Sequence, residues 1–307
     1  MKKVLVTGGA GFIGSNLVPR LIEKGHSVIV LDNLSSGKLE NLSGVRNNPN
    51  FRFIQGDIRD KKAVHEAFCG VDAVVHLAAL IDISASVIDP SKTHEVNVTG
   101  TLNMLQAAEN EVDRFVFASS TAVYGNAEAL PIKETAVLKP ISPYAASKVA
   151  GEAYCNTFAG CYGLDAVTLR FFNVYGPRNE NSPYSGVITK FLRKACNNEV
   201  LTVEGDGEQT RDFIHVNDVA EALVLALERK QLQGEVFNIC TGVPTSVNQL
   251  VNTLKSITGK NLRVKHGPPR QGDIRESLGD PAKAMDKLGF KSKISLKNGL
   301  EMLLLKT

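Results

Sequence analysis

The stretch Val4-Leu5-Val6-Thr7-Gly8-Gly9-Ala10-Gly11-Phe12-Ile13-Gly14 runs from a short apolar segment, through a glycine-rich turn, into the start of a helical period. Glycines at 8, 11 and 14 permit a tight turn and let a diphosphate approach the backbone, where it rests on the positive N-terminus of the helix. Asp32 closes the next apolar run, where an acidic side chain accepts hydrogen bonds from a ribose diol and repels a 2′-phosphate. The pattern predicts a bound dinucleotide, NAD rather than NADP. A triphosphate-binding loop is excluded on one residue. Gly9 and Gly14 have its spacing, but Ser15 stands where that loop requires lysine.

Further short apolar runs follow at Ser27 to Asp32, Phe51 to Gln55, Ala73 to Ala78 and Arg114 to Ser119, and read as buried parallel strands. Between and after them, Gly14 to Lys24, Asp60 to Phe68, Pro90 to Asn110 and Pro143 to Tyr162 have helical patterning and the length that parallel crossovers need. This predicts an α/β chain, a Rossmann-type doubly wound parallel sheet. After Arg170 the rhythm breaks into loops at Asn173 to Gly186, Glu204 to Gln209 and His266 to Asp273. A helix over Val219 to Leu227 and a strand over Glu235 to Cys240 suggest a return to the first sheet. The expected division is 1–172 plus about 212–241 for the dinucleotide, with 173–211 and 242–307 forming a smaller, interwoven α/β substrate-binding domain.

Composition sets the outer limits. The 307 residues are 43% hydrophobic and 22% charged, enough to bury a sizeable core and unlike a disordered chain. Lys and Arg number 35 against 32 Asp and Glu, interspersed, so nothing predicts nucleic-acid or membrane binding. The five cysteines include no CxxC pair, which fits reduced thiols. With no apolar run long enough for a membrane span or signal peptide, a cytoplasmic protein is expected. No metal-ligand spacing is present; His76 reads as a packing residue at a strand end.

Tyr144 and Lys148 stand one helical turn apart after Ser142-Pro143, which suits a helix start. A phenol near pKa ~10 is a poor base at neutral pH, but a lysine cation and a positive nicotinamide ring both favour the phenolate. Lys148 can also hydrogen-bond the nicotinamide ribose. Ser119-Ser120-Thr121-Ala122-Val123-Tyr124-Gly125 follows a strand at the carboxyl end of the sheet, where open α/β folds bind ligands.

With Asp32-Asn33, Gly56-Asp57-Ile58, His76-Leu77-Ala78-Ala79 and Asn97-Val98-Thr99-Gly100-Thr101 in order, the chain resembles the extended short-chain dehydrogenase/reductase family. The resemblance implies that Gly8, Gly11, Phe12, Ile13, Gly14, Asp32, Asn33, Ser36 and Gly37 hold NAD. It also implies that Asp57 and Ile58 flank the adenine, that Leu77, Ala78 and Ala79 approach the phosphates and riboses, and that Asn97 supports the active site. Counting back from Val123-Tyr124-Gly125, Ser120 takes the family's catalytic hydroxyl position, beside Tyr144 and Lys148.

Dehydratases of this family carry an acidic pair directly after that hydroxyl, and the related decarboxylases a Glu at the second place. Here the two residues are Thr121 and Ala122. The resemblance therefore implies a UDP-hexose 4-epimerase. A UDP-glucuronate 4-epimerase, a decarboxylase and a non-catalytic NAD-binding scaffold are the alternatives. By the same resemblance Phe171 and Phe172 pack by the nicotinamide, and Asn173, Arg211 and Arg270 grip the diphosphate. Arginine suits that role because its planar fork binds phosphate oxygens in pairs. Asp273 would hold the uridine ribose. Ser277, four on from Asp273, takes a position that limits pocket width, and its small size would admit 2-acetamido sugars. Ile81 stands where some relatives have lysine, which leaves the sugar open. A homodimer through paired helices is implied in the same way.

Overall fold

The computed structural model describes residues 1–179, 186–269 and 274–305; Arg270 and Asp273 lie outside the described residues. Strands β1 (Lys3–Thr7), β2 (Ser27–Asp32), β3 (Phe51–Gln55), β4 (Ala73–His76), β5 (Arg114–Ser120) and β6 (Ala166–Phe171) are followed by β7 (Asn173–Tyr175), β8 (Leu201–Glu204), β9 (Thr210–His215), β10 (Val236–Ile239), β11 (Pro244–Ser246) and β12 (Val264–Gly267). The first six and β10 form a seven-stranded sheet in the order β10-β6-β5-β4-β1-β2-β3, parallel throughout. Strand order reverses between β1 and β4, so their carboxyl ends open the crevice in which such sheets bind ligands. The seven-stranded parallel sheet is the doubly wound architecture expected.

The helices are α1 (Phe12–Glu23), α2 (Lys61–Ala67), α3 (Ile83–Ile88), α4 (Pro90–His94), α5 (Gly100–Ala108), α6 (Pro143–Tyr162), α7 (Val187–Cys196), α8 (Val216–Glu228), α9 (Val247–Thr258) and α10 (Leu296–Leu304). Alternation along the strands builds a core on each face of the sheet. Val4, Val6, Val116 and Ala118 pack with Leu17 and Leu21 of α1 and Leu223 of α8. Their neighbours Leu5, Phe115 and Phe117 pack with Val64 of α2, Met104 of α5 and Phe158 of α6. A third core joins Phe191 of α7, Leu250 and Leu254 of α9 and Leu300 of α10. It lies with the small sheets β11-β9-β7 and β12-β8. Fully buried Asp212 ties these parts together. Its Oδ1 accepts from Thr241 N at 2.8 Å and Thr241 Oγ1 at 2.7 Å, and its Oδ2 accepts from Gly242 N at 2.9 Å.

Two elements differ from the sequence reading. The helix expected over Pro90 to Asn110 is interrupted by a π-helical turn, Glu95–Thr99, and ends at Ala108. Asn97 lies in that turn with its side chain pinned: Leu80 N donates to its Oδ1 at 2.8 Å, and its Nδ2 donates to Leu80 O and to Ser147 Oγ, each at 2.9 Å. A wider turn accommodates that anchoring, as π-turns near functional sites commonly do. The strand expected to run through Ala78 stops at His76. Beyond it the Leu77 and Ala78 amides both donate to Thr7 Oγ1 at 3.2 Å, which turns the chain out of the sheet.

Helix α6 packs so closely on β5 that a methyl group on Gly151 would meet Phe117 Cζ at 2.4 Å, whereas nothing lies within 4 Å of one on Gly160. The two substitutions therefore have opposite signs. Gly160→Ala is expected to raise Tm, with up to ~1 kcal/mol of helix propensity gained. Gly151→Ala is expected to lower Tm, because about 1–3 kcal/mol of overpacking outweighs that gain. Thermal denaturation followed by circular dichroism checks both.

Candidate active site

The turn after β1 meets the end of β4. Gly8 has φ +67°, and a side chain there would lie 2.8 Å from Ala78 N. A methyl group on Gly14 would lie 2.4 Å from Gly8 O. Each is thus held to glycine by a neighbouring backbone. Gly11 is the N-cap of α1 and no side chain caps it, so the first helical amides face the crevice without a protein acceptor in the cap position. Phe12 and Ile13, the first helical residues, are half-buried there. Asp32 at the end of β2 is buried, accepting from Ala10 N at 2.9 Å and Leu34 N at 2.8 Å. Burial raises its pKa, and those two amides lower it in part.

Around this turn, a side chain on Gly37 would meet Ala10 backbone carbon at 2.8 Å, while the neighbouring Ser36 is exposed. Asn33 Nδ2 donates to Asp57 Oδ2 at 2.8 Å, and Arg59 grips the same carboxylate from Nε at 3.0 Å and Nη2 at 2.9 Å. Those bonds hold the Asp57 carboxyl well below the usual carboxylate range. Ile58 buries its side chain in the core against Gly100, and its carbonyl accepts from Asn103 Nδ2 at 3.1 Å. The cradle at Gly8 and Gly14, the uncapped helix end and the acid closing β2 together fit a dinucleotide with its diphosphate on the turn.

Helices α3 and α6 and the carboxyl end of β5 bring Ser120, Tyr144 and Lys148 to one side of the crevice. Ser142 caps α6, accepting from Ala145 N at 3.1 Å. Tyr144 and Lys148 follow on its buried side, 8% and 5% exposed. The Tyr144 amide donates to Ser86 Oγ of α3 at 3.2 Å, fixing the first turn of α6 against the segment after β4. Ser120 stands at the end of β5, its Oγ accepting from Ala122 N at 3.2 Å; burial raises the Tyr144 phenol pKa, and the Ser120 hydroxyl offsets that in part. Lys148 Nζ donates to Ala118 O at 2.8 Å and lies 5.0 Å over the Phe117 ring. Burial lowers its pKa to about 8, so the ammonium persists at neutral pH.

His76 is structural, as the sequence suggests. Its ring lies between Phe115 and Phe117, 5.9 and 6.0 Å away. Its Nδ1 faces Thr7 Oγ1 at 2.7 Å and its Nε2 faces Thr101 Oγ1 at 3.0 Å. Thr101 Oγ1 donates to Asn97 O at 2.6 Å, so it accepts from His76 and the Nε2 carries the proton. Burial, then the charge of Lys148, lowers the His76 pKa to about 3, which keeps the ring neutral.

The remaining expected residues spread along the crevice. Leu77, Ala78 and Ala79 form its floor after β4, half-buried. Phe171 and Phe172 are not brought together: Phe171 joins the α1/α8 core, and Phe172 packs with Val123, Tyr124, Ile132 and Cys240. Successive side chains of an extended segment point to opposite sides, which is why the two rings join different cores. Asn173 opens β7 opposite Phe213, and Arg211 Nη1 in β9 donates to Thr210 O at 2.8 Å. Ser277 is buried beside them, its amide donating to Thr210 O at 3.2 Å. Thr7, Ser86 and Glu152 were missed as contributors. Thr7 had the clearest signal, a hydroxyl immediately before Gly8.

Residues 4–240 match the NAD dependent epimerase/dehydratase family. The chain belongs to that family. It is 42% identical to the putative UDP-glucose 4-epimerase of Methanocaldococcus jannaschii over 301 residues, 97% of this chain and 96% of the other. The UDP-glucose 4-epimerase of Thermotoga maritima, solved with UDP-glucose, matches with TM-score 0.91 and 43% identity over 98% of this chain and 96% of its own. The UDP-N-acetylglucosamine 4-epimerase of Methanobrevibacter ruminantium, solved with UDP-N-acetylmuramic acid, matches with TM-score 0.93 and 39% identity over 100% and 99%. NAD is the cofactor of the family.

The close approach at Gly14 makes the cradle testable. Gly14→Ala is expected to weaken NAD binding at least about 10-fold, because the methyl pushes the helix end from the diphosphate. Isothermal titration of NAD into the folded variant checks this; wild-type affinity would mean that the turn is not the diphosphate seat.

Proposed function

We propose that this chain is a UDP-hexose 4-epimerase, interconverting UDP-glucose with UDP-galactose and UDP-N-acetylglucosamine with UDP-N-acetylgalactosamine. The observation that carries the reading is the cluster Ser120, Tyr144 and Lys148 at the carboxyl end of the sheet, followed by Thr121 and Ala122 rather than acidic residues. Those groups suffice to remove and return the proton of the 4-hydroxyl. Elimination of water asks for an additional acid and base.

Bound NAD supplies a reversible acceptor for the carbon-4 hydride. The chain supplies the rest. Tyr144 Oη takes the proton of the 4-hydroxyl, Ser120 Oγ holds that oxygen in line, and the Lys148 ammonium favours the phenolate. The 4-keto sugar then turns over, and Tyr144 returns its proton when the hydride comes back to the other face. Turning over requires a firmly held nucleotide and a loosely held sugar, which supports assigning Asn173, Arg211, Arg270 and Asp273 to the nucleotide. The sheet of 1–172 plus about 212–241 would carry NAD, with 173–211 and 242–307 carrying the UDP-sugar.

A homodimer belongs to the same reading. Pro90, His94 and Val98 face Pro143, Ala146 and Ala150 across an open groove between α4 and α6, and these faces can pair about a two-fold axis. No described helix is long and apolar enough to cross a membrane.

The assay is incubation with NAD and either UDP-glucose or UDP-N-acetylglucosamine, with the nucleotide sugars separated by chromatography. Both 4-epimers are expected. Ser277→Tyr is expected to lower turnover of the acetamido pair at least about 10-fold while sparing UDP-glucose, since one bulky side chain discriminates by about that much. Unchanged use of the acetamido pair would remove Ser277 as the width-setting residue, and no epimer from either substrate would overturn the epimerase reading.

A further inference from the structure

A buried charge pair lies behind the proton-transfer residues. Glu152 on α6 is one turn beyond Lys148, on the same side of the helix, and is 7% exposed. Its Oε1 accepts from Ser119 Oγ and from Arg170 Nε at 2.9 Å, and its Oε2 accepts from Arg170 Nη2 at 2.6 Å. Arg170, in β6, also donates to Tyr124 OH at 2.8 Å and Glu134 O at 3.0 Å. Ser119 immediately precedes Ser120 in β5, so one carboxylate holds the strand that carries the reacting hydroxyl and the helix that carries the phenol. A buried charge without partners is costly, and here each oxygen of Glu152 has one.

We propose that Glu152 is a positioning residue for the proton chemistry: clamped by Arg170 and Ser119, it holds the end of β5 against α6 and sets a carboxylate one helical turn from Lys148. The proposal rests on the roles given to Tyr144 and Lys148 above. The other titratable groups near Lys148 do not supply that negative charge. His76 stays neutral, the buried Cys155 thiol is pushed far up and stays protonated, and Tyr144 is neutral until it gives or takes a proton. Arg170 is itself a cation, with Glu152 between its guanidinium and α6.

The first test needs neither cofactor nor sugar, so its outcome is separate from that of the epimerase reading. Protein labelled with carbon-13 at the lysine ε-position is titrated by NMR, with Lys148→Met assigning the resonance. The Lys148 midpoint, which burial brings down to about 8, is expected to fall by about one further pH unit in Glu152→Gln, because loss of a nearby carboxylate disfavours the ammonium. Ser119→Ala, which removes only a hydrogen bond, is expected to leave the midpoint in place. An unchanged midpoint in folded Glu152→Gln would overturn the proposal. Should that variant not fold, Glu152→Gln with Arg170→Met removes both charges; a midpoint below that of the wild type supports the proposal, and one at or above it overturns it. In turnover, Glu152→Gln is expected to lower kcat about 10-fold with little change in KM, and to move the alkaline limb to lower pH. A rise in KM with kcat unchanged would contradict a positioning role in the chemical step.

Discussion

One run of hydrogen bonds joins the two ends of the crevice. The Leu77 and Ala78 amides donate to Thr7, Thr7 to His76, His76 to Thr101, and Thr101 to the Asn97 carbonyl. From Asn97 the side-chain amide reaches Ser147, which donates to Tyr144 O at 2.7 Å. The hydroxyls of Thr7, Thr101 and Ser147 each accept on one side and donate on the other, so a neutral His76 with its proton on Nε2 is the form that completes the run. The glycine-rich turn after β1 and the helix that carries the Tyr144 phenol are thereby set in one frame. Productive hydride and proton transfer need the reacting atoms within a few tenths of an ångström of their places.

Burial is the cost of that frame. Tyr144 and Lys148 are both withdrawn from water, which disfavours the phenolate and the ammonium alike. The protein offsets this locally: the Ser120 hydroxyl brings the phenol back in part, Ala118 O and the Phe117 ring face the ammonium, and Glu152 lies one turn away. The same crowding explains why Gly151 of α6 has no side chain over Phe117.

Much of this was legible in the sequence where local chemistry dictates structure. Glycine spacing after an apolar strand, Asp32 closing the next strand, and Ser142-Pro143 opening a helix each have a single physical reason, and all lie where they were expected. The early strand runs matched because parallel buried strands are apolar on both faces. What was not legible depends on partners distant in sequence. The π-turn at Asn97 answers to Leu80 and Ser147, the early end of β4 to Thr7, and the divergence of Phe171 and Phe172 to which core each meets. Glu152 carried no signal by itself, since a glutamate in a helix is ordinarily a solvated residue.

In the proposed reaction the chain inverts carbon 4 by lending its hydride to NAD and recovering it, with Tyr144 handling only the hydroxyl proton. UDP-glucose deuterated at carbon 4 tests this most directly. Incubated with the protein and NAD in ordinary water, it is predicted to give UDP-galactose that keeps the deuterium at carbon 4, seen by mass spectrometry and NMR. Epimerised product with that deuterium lost to solvent would mean inversion by removal and return of a proton at carbon, and would contradict the account.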